Sequence, residues 1–423
     1  MSLIQKLGPG IITACAAIGI SHFAQATRAG SYFGYDLLWL ILLAHVAKYP
    51  FIEFGNRYTS ATGESFLVGY WRYSKPVFYL ITAITAFVAT FTFAAGGFIC
   101  AGIIKVVLGV PLSVNVITAL LLGFCTIIIT VGHYKLIDNV MKIFIVLLTF
   151  TTFVAVILAA INYTPLPQSE IFYSDYQPFE AKHIPFLIAL MGFMPGPIEL
   201  SVWHSLWLKA RNRTANKLNF KQATFDFNVG YAIMAITAIL FLSIGALMVN
   251  NSNLEVPNGA ASFARLLVDS YTSSIGSWAA PIVGISILAA MFSTVLAIVD
   301  SYPRVLTQSI LIISGEKEED EELPVKAKKR RILHSSLMAL YSIAATLVII
   351  FLFDNFKQIL DFASCVAFIV APIYAFVNYK VVTSKLLPKE FQPGRYIRIL
   401  SYFGLTFLVG FLAWFIWVKV FII

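Results

Sequence analysis

The stretch Met191-Gly192-Phe193-Met194-Pro195-Gly196-Pro197-Ile198-Glu199 sits in the middle of an apolar run and decides how the chain is read. Proline cannot donate a helical hydrogen bond and glycine weakens a helix. Two of each within nine residues therefore predict an interrupted helix at mid-depth. The first apolar run carries a similar irregularity. Gly8-Pro9-Gly10 opens it, apolar residues follow to Ile18, and then come Gly19-Ile20-Ser21-His22, Gln25, Thr27 and Arg28. Interruptions in spans one and six of a long helical array are what two inverted five-helix repeats produce, with a substrate held between the breaks. A simple proline kink without a site is the alternative, since proline is common in membrane helices.

Composition supports a membrane setting. Of 423 residues, 59% are apolar and 12% charged, and the mean hydropathy is +0.82. Runs of roughly 20 apolar residues, enough to cross about 30 Å of hydrocarbon, occur near 10–26, 36–56, 77–105, 112–132, 138–161, 184–207, 226–249, 278–301, 333–353, 359–380 and 399–421. Helices are required, because unpaired backbone groups cannot face lipid and the two-residue alternation of a barrel is missing. The expected fold class is an all-α integral membrane protein of about 11 transmembrane helices, with broken helices one and six. One transmembrane domain over 1–423 is expected, with repeat one about 8–161, repeat two about 184–380 and an extra helix about 396–422. Met1 to Gly8 is too short and too quickly apolar for a signal peptide, so the first run is expected to be retained.

Lys and Arg in the short loops set the orientation. One side carries Arg57, Arg72, Lys75, Lys135, Lys209, Arg211, Arg213, Lys217 and Lys221. Lys326 to Arg331, Lys380, Lys385, Lys389, Arg395 and Arg398 fall on that same side. The other side holds little beyond Arg28, Lys182 and Lys357, and its long loops near 163–182 and 250–277 are polar. The N-terminus is expected in the cytoplasm and the C-terminus outside. The net charge of +9 follows from this bias, so no nucleic-acid partner is inferred. The block from Glu316 to Glu322, followed by Lys326 to Arg331, reads as a solvated loop with a basic headgroup anchor. Cys15, Cys100, Cys125 and Cys365 lie in apolar stretches without C-x-x-C spacing, as buried thiols rather than disulfides or zinc ligands.

Several short stretches resemble the NRAMP metal-transporter family. They are Gly8-Pro9-Gly10, the run from Ala29 to Trp39 leading into the second span, and Met194-Pro195, with weaker echoes at Asp226-Phe227-Asn228-Val229-Gly230 and Ser293-Thr294. The resemblance implies the inverted-repeat fold of amino-acid and sodium symporters. It also implies an altered site. The family's Asp-Pro-Gly-Asn at the first break is replaced by Gly19-Ile20-Ser21-His22, and its Met-Pro-His by Met194-Pro195-Gly196. The acidic residues that the family uses for proton passage on the third helix align with Phe93 and Gly96.

A divalent cation stripped of water needs compensating charge, and of the residues near the breaks only Glu199 supplies it. A buried structural pair is the other reading of Glu199. The candidate substrate-binding set is Gly19, Ser21, His22, Gln25, Met194, Gly196 and Glu199, with Met194, Glu199 and His22 as possible metal ligands. An anion such as bicarbonate is the competing substrate. The restarted half-helix N-termini near Ser21 and Pro197, helped by His22, Gln25 and Arg28, would attract it. Gating or coupling candidates are Arg28, His204, Asp300 and Arg304, with Asp300 placed at the end of the eighth helix. Arg28 also fits a headgroup or vestibule role, and His204 a structural one. His45 with Lys48, and Glu53 with Arg57, share faces of the second helix, which pairing or snorkelling explains. Trp39, Trp207, Trp414 and Trp417 read as interfacial or packing aromatics.

No H-E-x-x-H, no G-x-S-x-G and no paired intramembrane carboxylates occur, so the chain does not read as an enzyme. The expectation is a secondary-active transporter of a small inorganic ion, by default a divalent metal cation. An anion transporter and a non-transporting membrane sensor are the alternatives. No cofactor is implied, and the partners are the bilayer and the ion.

Overall fold

The computed structural model describes residues 7–422 except 133, 168, 170, 174, 215–216, 253, 317–323 and 354. Of 134–145, 214 and 324–326 only the backbone is described. The acidic run Lys317 to Glu322 lies outside the described residues.

The chain is helical throughout. In order, the main helices are α1 (Pro9–Phe33), α2 (Leu38–Thr62), α3 (Phe66–Tyr73), α4 (Lys75–Val107) and α5 (Val114–Val131). Then come α6 (Tyr134–Ile161), α7 (Ile184–Phe193), α8 (Leu200–Thr214), α9 (Phe220–Asn250) and α10 (Ala260–Ile275). The last four are α11 (Ala280–Ile313), α12 (Pro324–Leu352), α13 (Phe356–Thr383) and α14 (Arg395–Phe421). Among the described residues nine helices are long and apolar enough to span a membrane, and shorter apolar pieces occur at Val146–Ile161 and Ala181–Phe193. Together they occupy the eleven stretches expected from hydropathy, with α7 and α8 as the two halves of the sixth span.

Local chemistry sets the ends. Proline stands in the first turn of α1, α4, α7 and α11, where its missing N–H costs nothing. The Ser113 hydroxyl accepts from Val116 N to cap α5, and Asn219 with Gln222 forms a reciprocal capping box on α9. Burial separates an inner set from a lipid-facing ring. The apolar window of α1 is 89% buried, whereas those of α5 and α12 are 28% and that of α14 is 17%. By the same measure α1, α11 (78%), α4 (72%) and α2 (67%) are the most enclosed of the long helices.

Close backbone contact locks α1 to α9. A Cβ at Gly230 would overlap the carbonyl of Gly10, and one at Gly10 would overlap the backbone of Asp226, so only glycine permits this approach. The Asp226 carboxylate then receives Gly8 N at 2.8 Å and Gly10 N at 2.7 Å, supplying acceptors and negative charge to the start of α1.

Four expectations are corrected. The first span is not unwound at Gly19 to His22, because residues Ile18–Ala26 continue it as π-helix, a widened form common at functional sites. Asp300 does not end the eighth span, which runs on to Ile313. Asp226 does not open the seventh span but lies inside α9, which starts at Phe220. The polar stretch 250–277 is not all loop, since α10 buries Phe263, Ala264, Leu267 and Tyr271 against the bundle. The sixth-span break is a full interruption. Met194 is extended (φ −94°, ψ 124°), the Met194–Pro195 peptide is cis, and regular helix resumes only at Leu200.

Candidate functional site

The break leaves the C-terminal carbonyls of α7 without helical donors. The partner due to Met191 O is the N–H of residue 195, a proline, and the unwinding removes Gly196 N from Gly192 O. Lys48 of α2 fills the gap. Its ammonium donates to Met191 O at 2.6 Å, Gly192 O at 2.8 Å and Gly196 O at 3.2 Å, using all three of its protons. Lys48 is 0% exposed, so the snorkelling expected from its face shared with His45 is not what the fold does.

Beside this cluster lies a cavity of about 30 Å³. Its walls are Ala16, Ala17, Ile20 and Ser21 of α1, Thr92 of α4, Phe193, Gly196 and Pro197 at the break, Leu200 and Trp203 of α8, and Thr294 and Ile298 of α11. Of the sequence candidates, Ser21 and Gly196 line it. Gly19 faces α11, where a Cβ would overlap Thr294. Ser21 Oγ lies 2.5 Å from Ala17 O and 3.4 Å from Pro195 O, bridging the two irregular segments. Among the described residues no carboxylate lines the cavity, and no group of three or more His, Cys, Asp or Glu is placed to hold a metal.

Glu199 stands just behind the wall. It is 2% exposed, Tyr302 of α11 donates to its Oε2 at 2.8 Å, and the same phenol lies 3.2 Å from Oγ1 of the wall residue Thr92. Oε1 of Glu199 is buried with no hydrogen-bond partner. An unpartnered buried carboxylate oxygen is costly and marks a place where a proton or cation is favoured. The cavity therefore lies between an ammonium at Gly196 and a carboxylate behind Thr92.

The remaining candidates fall into separate groups. His22 turns from the cavity toward α9, with Nε2 2.9 Å from Met234 O and Nδ1 2.6 Å from Ser21 Oγ, its ring edge-on to His45. The Met234 carbonyl only accepts, so the ring proton sits on Nε2. Met194 is buried in the core beside the break. Gln25 and Arg28 meet Asp361 at one end of α1. Arg28 makes a two-pronged pair with it at 2.6 and 2.9 Å and also donates to Gln25 Oε1 at 3.1 Å. The guanidinium lies over Phe186 and Tyr32, and Gln25 reaches Ser364 at 3.2 Å. Arg28, 3% exposed, is therefore enclosed in the bundle and not a headgroup anchor.

At the other end of α1, His204 lies 2.8 Å from Thr13 Oγ1 and 3.3 Å from Asn56 Oδ1. Asp300 pairs with Arg304 at 2.7 Å, and His334 Nε2 approaches the Asp300 carbonyl at 3.1 Å. Glu53 and Arg57 pair at 2.9 Å.

Two features assumed for anion binding change. With α1 continuous through Ser21, no half-helix begins there. At α8 the N–H groups of Leu200, Ser201 and Val202 are already taken by Pro197, Ile198 and Glu199 carbonyls at 2.9–3.1 Å. Sequence reasoning missed Asp361, Tyr302 and Thr92, which lie far along the chain from their partners and carry no local pattern. Lys48 had a readable signal, since Pro195 orphans the Met191 carbonyl and a buried donor had to be found.

A bundle of this topology, broken in its sixth span around a small cavity, is that of a multi-pass membrane protein, and its class as a transporter comes from its family. The family described as "Natural resistance-associated macrophage protein-like" matches residues 10–418, and the chain belongs to that NRAMP family. An uncharacterised protein of Pasteurella multocida (strain Pm70) is 34% identical over 416 residues, covering 98% of this chain and 92% of its own. The fold resembles the manganese transporter of Eremococcus coleocola, crystallised with an aromatic bis-isothiourea compound. The TM-score is 0.68 at 12% identity, over 97% of this chain and 85% of that one. It also resembles Mhp1, a nucleobase-cation-symport-1 family transporter in a closed conformation with bromovinylhydantoin bound. There the TM-score is 0.59 at 13% identity, over 98% and 92% of the two chains.

Proposed function

We propose that this chain is a secondary-active transporter of a small inorganic ion, a divalent metal cation in keeping with its family, through a site in which Glu199 is the carboxylate. The observation that carries this reading is the buried Oε1 of Glu199, unpartnered beside the break and one phenol away from the cavity wall. The cavity of about 30 Å³ has room for about two water-sized volumes, far less than a divalent ion with a full hydration shell needs. The ion would enter when the helices part and meet Glu199, Thr92 and Ser21 there. Membership in the family and the likeness to a manganese transporter support metal as the class of substrate.

The basic segments support a cytoplasmic position for the end of the bundle carrying Gly8, Arg57, Arg211 and Arg213, which would put the Arg28–Asp361 pair toward the outside. Arg28 with Asp361, and Asp300 with Arg304, then act as closures at opposite ends of the path.

An anion such as bicarbonate is the second reading, for which the Lys48 ammonium beside the wall residue Gly196 supplies positive charge but no free proton. Flux into proteoliposomes separates the two. Saturable manganese or magnesium uptake, lost at least tenfold in Glu199→Gln with folded protein retained, supports the proposal. Bicarbonate uptake with no metal uptake overturns it in favour of the anion. Metal uptake untouched by Glu199→Gln removes Glu199 from the path.

A further inference from the structure

The buried Lys48 deepens the reading of this same site. Three observations converge on it. First, its ammonium is coordinated by three backbone carbonyls, of Met191, Gly192 and Gly196, in the manner of a bound cation. Second, two of those carbonyls end α7, where the helix dipole concentrates partial negative charge. Third, among the described residues no carboxylate forms an ion pair with Lys48, so the carbonyl cluster and the dipole balance its charge. The placement is built into the packing. A Cβ at Gly55 would overlap the Ser201 carbonyl, which seats α2 directly against α8. Lys48 stands seven residues earlier, two turns along the same face, and so points at the break.

We propose that Lys48 is a tethered cation that permanently occupies the carbonyl cluster at the broken sixth span, so that a transported cation is received on the Glu199 side of the cavity and not at these carbonyls. A mobile cation at the C-terminal end of α7 would compete with a charge already held there by a covalent arm. Coulomb repulsion would then displace it toward the free carboxylate oxygen. The site as a whole carries one fixed positive and one negative group, and a substrate adds to that balance without having to create it.

The test replaces the tether with a free amine. In Lys48→Ala the vacated channel and its three carbonyls match propylammonium, which has three carbons and the same head. The melting temperature of purified Lys48→Ala should rise saturably with propylammonium chloride and not with tetramethylammonium chloride at equal ionic strength. The parent protein should respond to neither. Uptake lost in the variant should return with propylammonium and not with tetramethylammonium, a contrast that shows the carbonyl cluster needs a hydrogen-bonding cation and not charge alone. Indifference of Lys48→Ala to propylammonium overturns the proposal.

A second measurement on the unmodified protein needs no variant. Acylation by a small amine reagent, read by mass spectrometry, should leave Lys48 unreacted while Lys75 and Lys380 are labelled. Labelling of Lys48 at the rate of those two also overturns the proposal, and it decides the matter alone if Lys48→Ala does not fold. Melting and labelling require no transported ion, so their failure is distinct from failure of the flux experiment.

Discussion

Removing the carboxylate of Asp361 should expose the worth of the pair that pins α1 to α13. Arg28 is 3% exposed and Asp361 29%, so the guanidinium is almost fully desolvated while its partner keeps some water. The pair makes two charge-assisted hydrogen bonds, at 2.6 and 2.9 Å, and Asp361 also accepts from Gln25 at 3.2 Å. Stripping the partner from a fully buried ion pair costs about 3–5 kcal/mol, chiefly because a lone charge is left behind. The partial exposure of Asp361 admits water to the vacated place, and the stacking of Arg28 on Phe186 and Tyr32 survives. The expected cost of Asp361→Ala is therefore roughly 2–3 kcal/mol, below the fully buried range.

Arg28→Met with Asp361→Ala removes the orphan charge together with its partner. The double variant should be more stable than Asp361→Ala alone, giving a coupling of about 1–2 kcal/mol in a double-mutant cycle. Reversible unfolding in mixed micelles, followed by tryptophan fluorescence, measures all four proteins. A cost for Asp361→Ala below about 0.5 kcal/mol, or additivity of the two changes, would refute the burial argument.

Other substitutions probe independent parts of the fold. Tyr302→Phe removes the donor to Glu199 Oε2, leaving a second unsatisfied oxygen on that buried carboxylate; a loss of about 1–3 kcal/mol in stability and a several-fold fall in metal uptake are expected, and unchanged uptake would disconnect Tyr302 from the site. Gly230→Val forces α9 away from the Gly10 carbonyl and should destabilise by about 1–3 kcal/mol or more, as overpacking does; a thermal shift assay that finds no loss would contradict the close approach. Asn378→Ala strips acceptors and donors from Tyr70, Phe51 and Ser201 at once, so a loss of about 2–4 kcal/mol is expected in the same unfolding assay.

The eleven apolar stretches were legible because a bilayer imposes one length and one backbone solution on every crossing. The break in the sixth span was legible for a covalent reason, since Pro195 and Pro197 have no N–H to give. Gly19 to His22 looked alike in composition, yet the helix passes through that stretch by widening to π geometry, because no proline compels it to stop. Polar residues inside apolar runs were correctly singled out as unusual, but their partners were not foreseeable. His22 bonds to Met234, Lys48 to the α7 carbonyls and Arg28 to Asp361, across separations of 143 to 333 residues.

The amino-acid sequence by itself determined the class of protein, its all-helical membrane architecture and the place of the interruption in the sixth span. Those are local properties, read from hydropathy, backbone chemistry and residue identity. Only the tertiary structure decided which buried charges meet. It turned His22 toward α9, brought Lys48 to the orphaned carbonyls, and left one oxygen of Glu199 unpartnered behind the cavity. The physical reason is that desolvated polar groups are satisfied by whatever the packing brings within about 3 Å, and helix packing is set by long-range contacts such as Gly10 against Gly230 and Gly55 against Ser201.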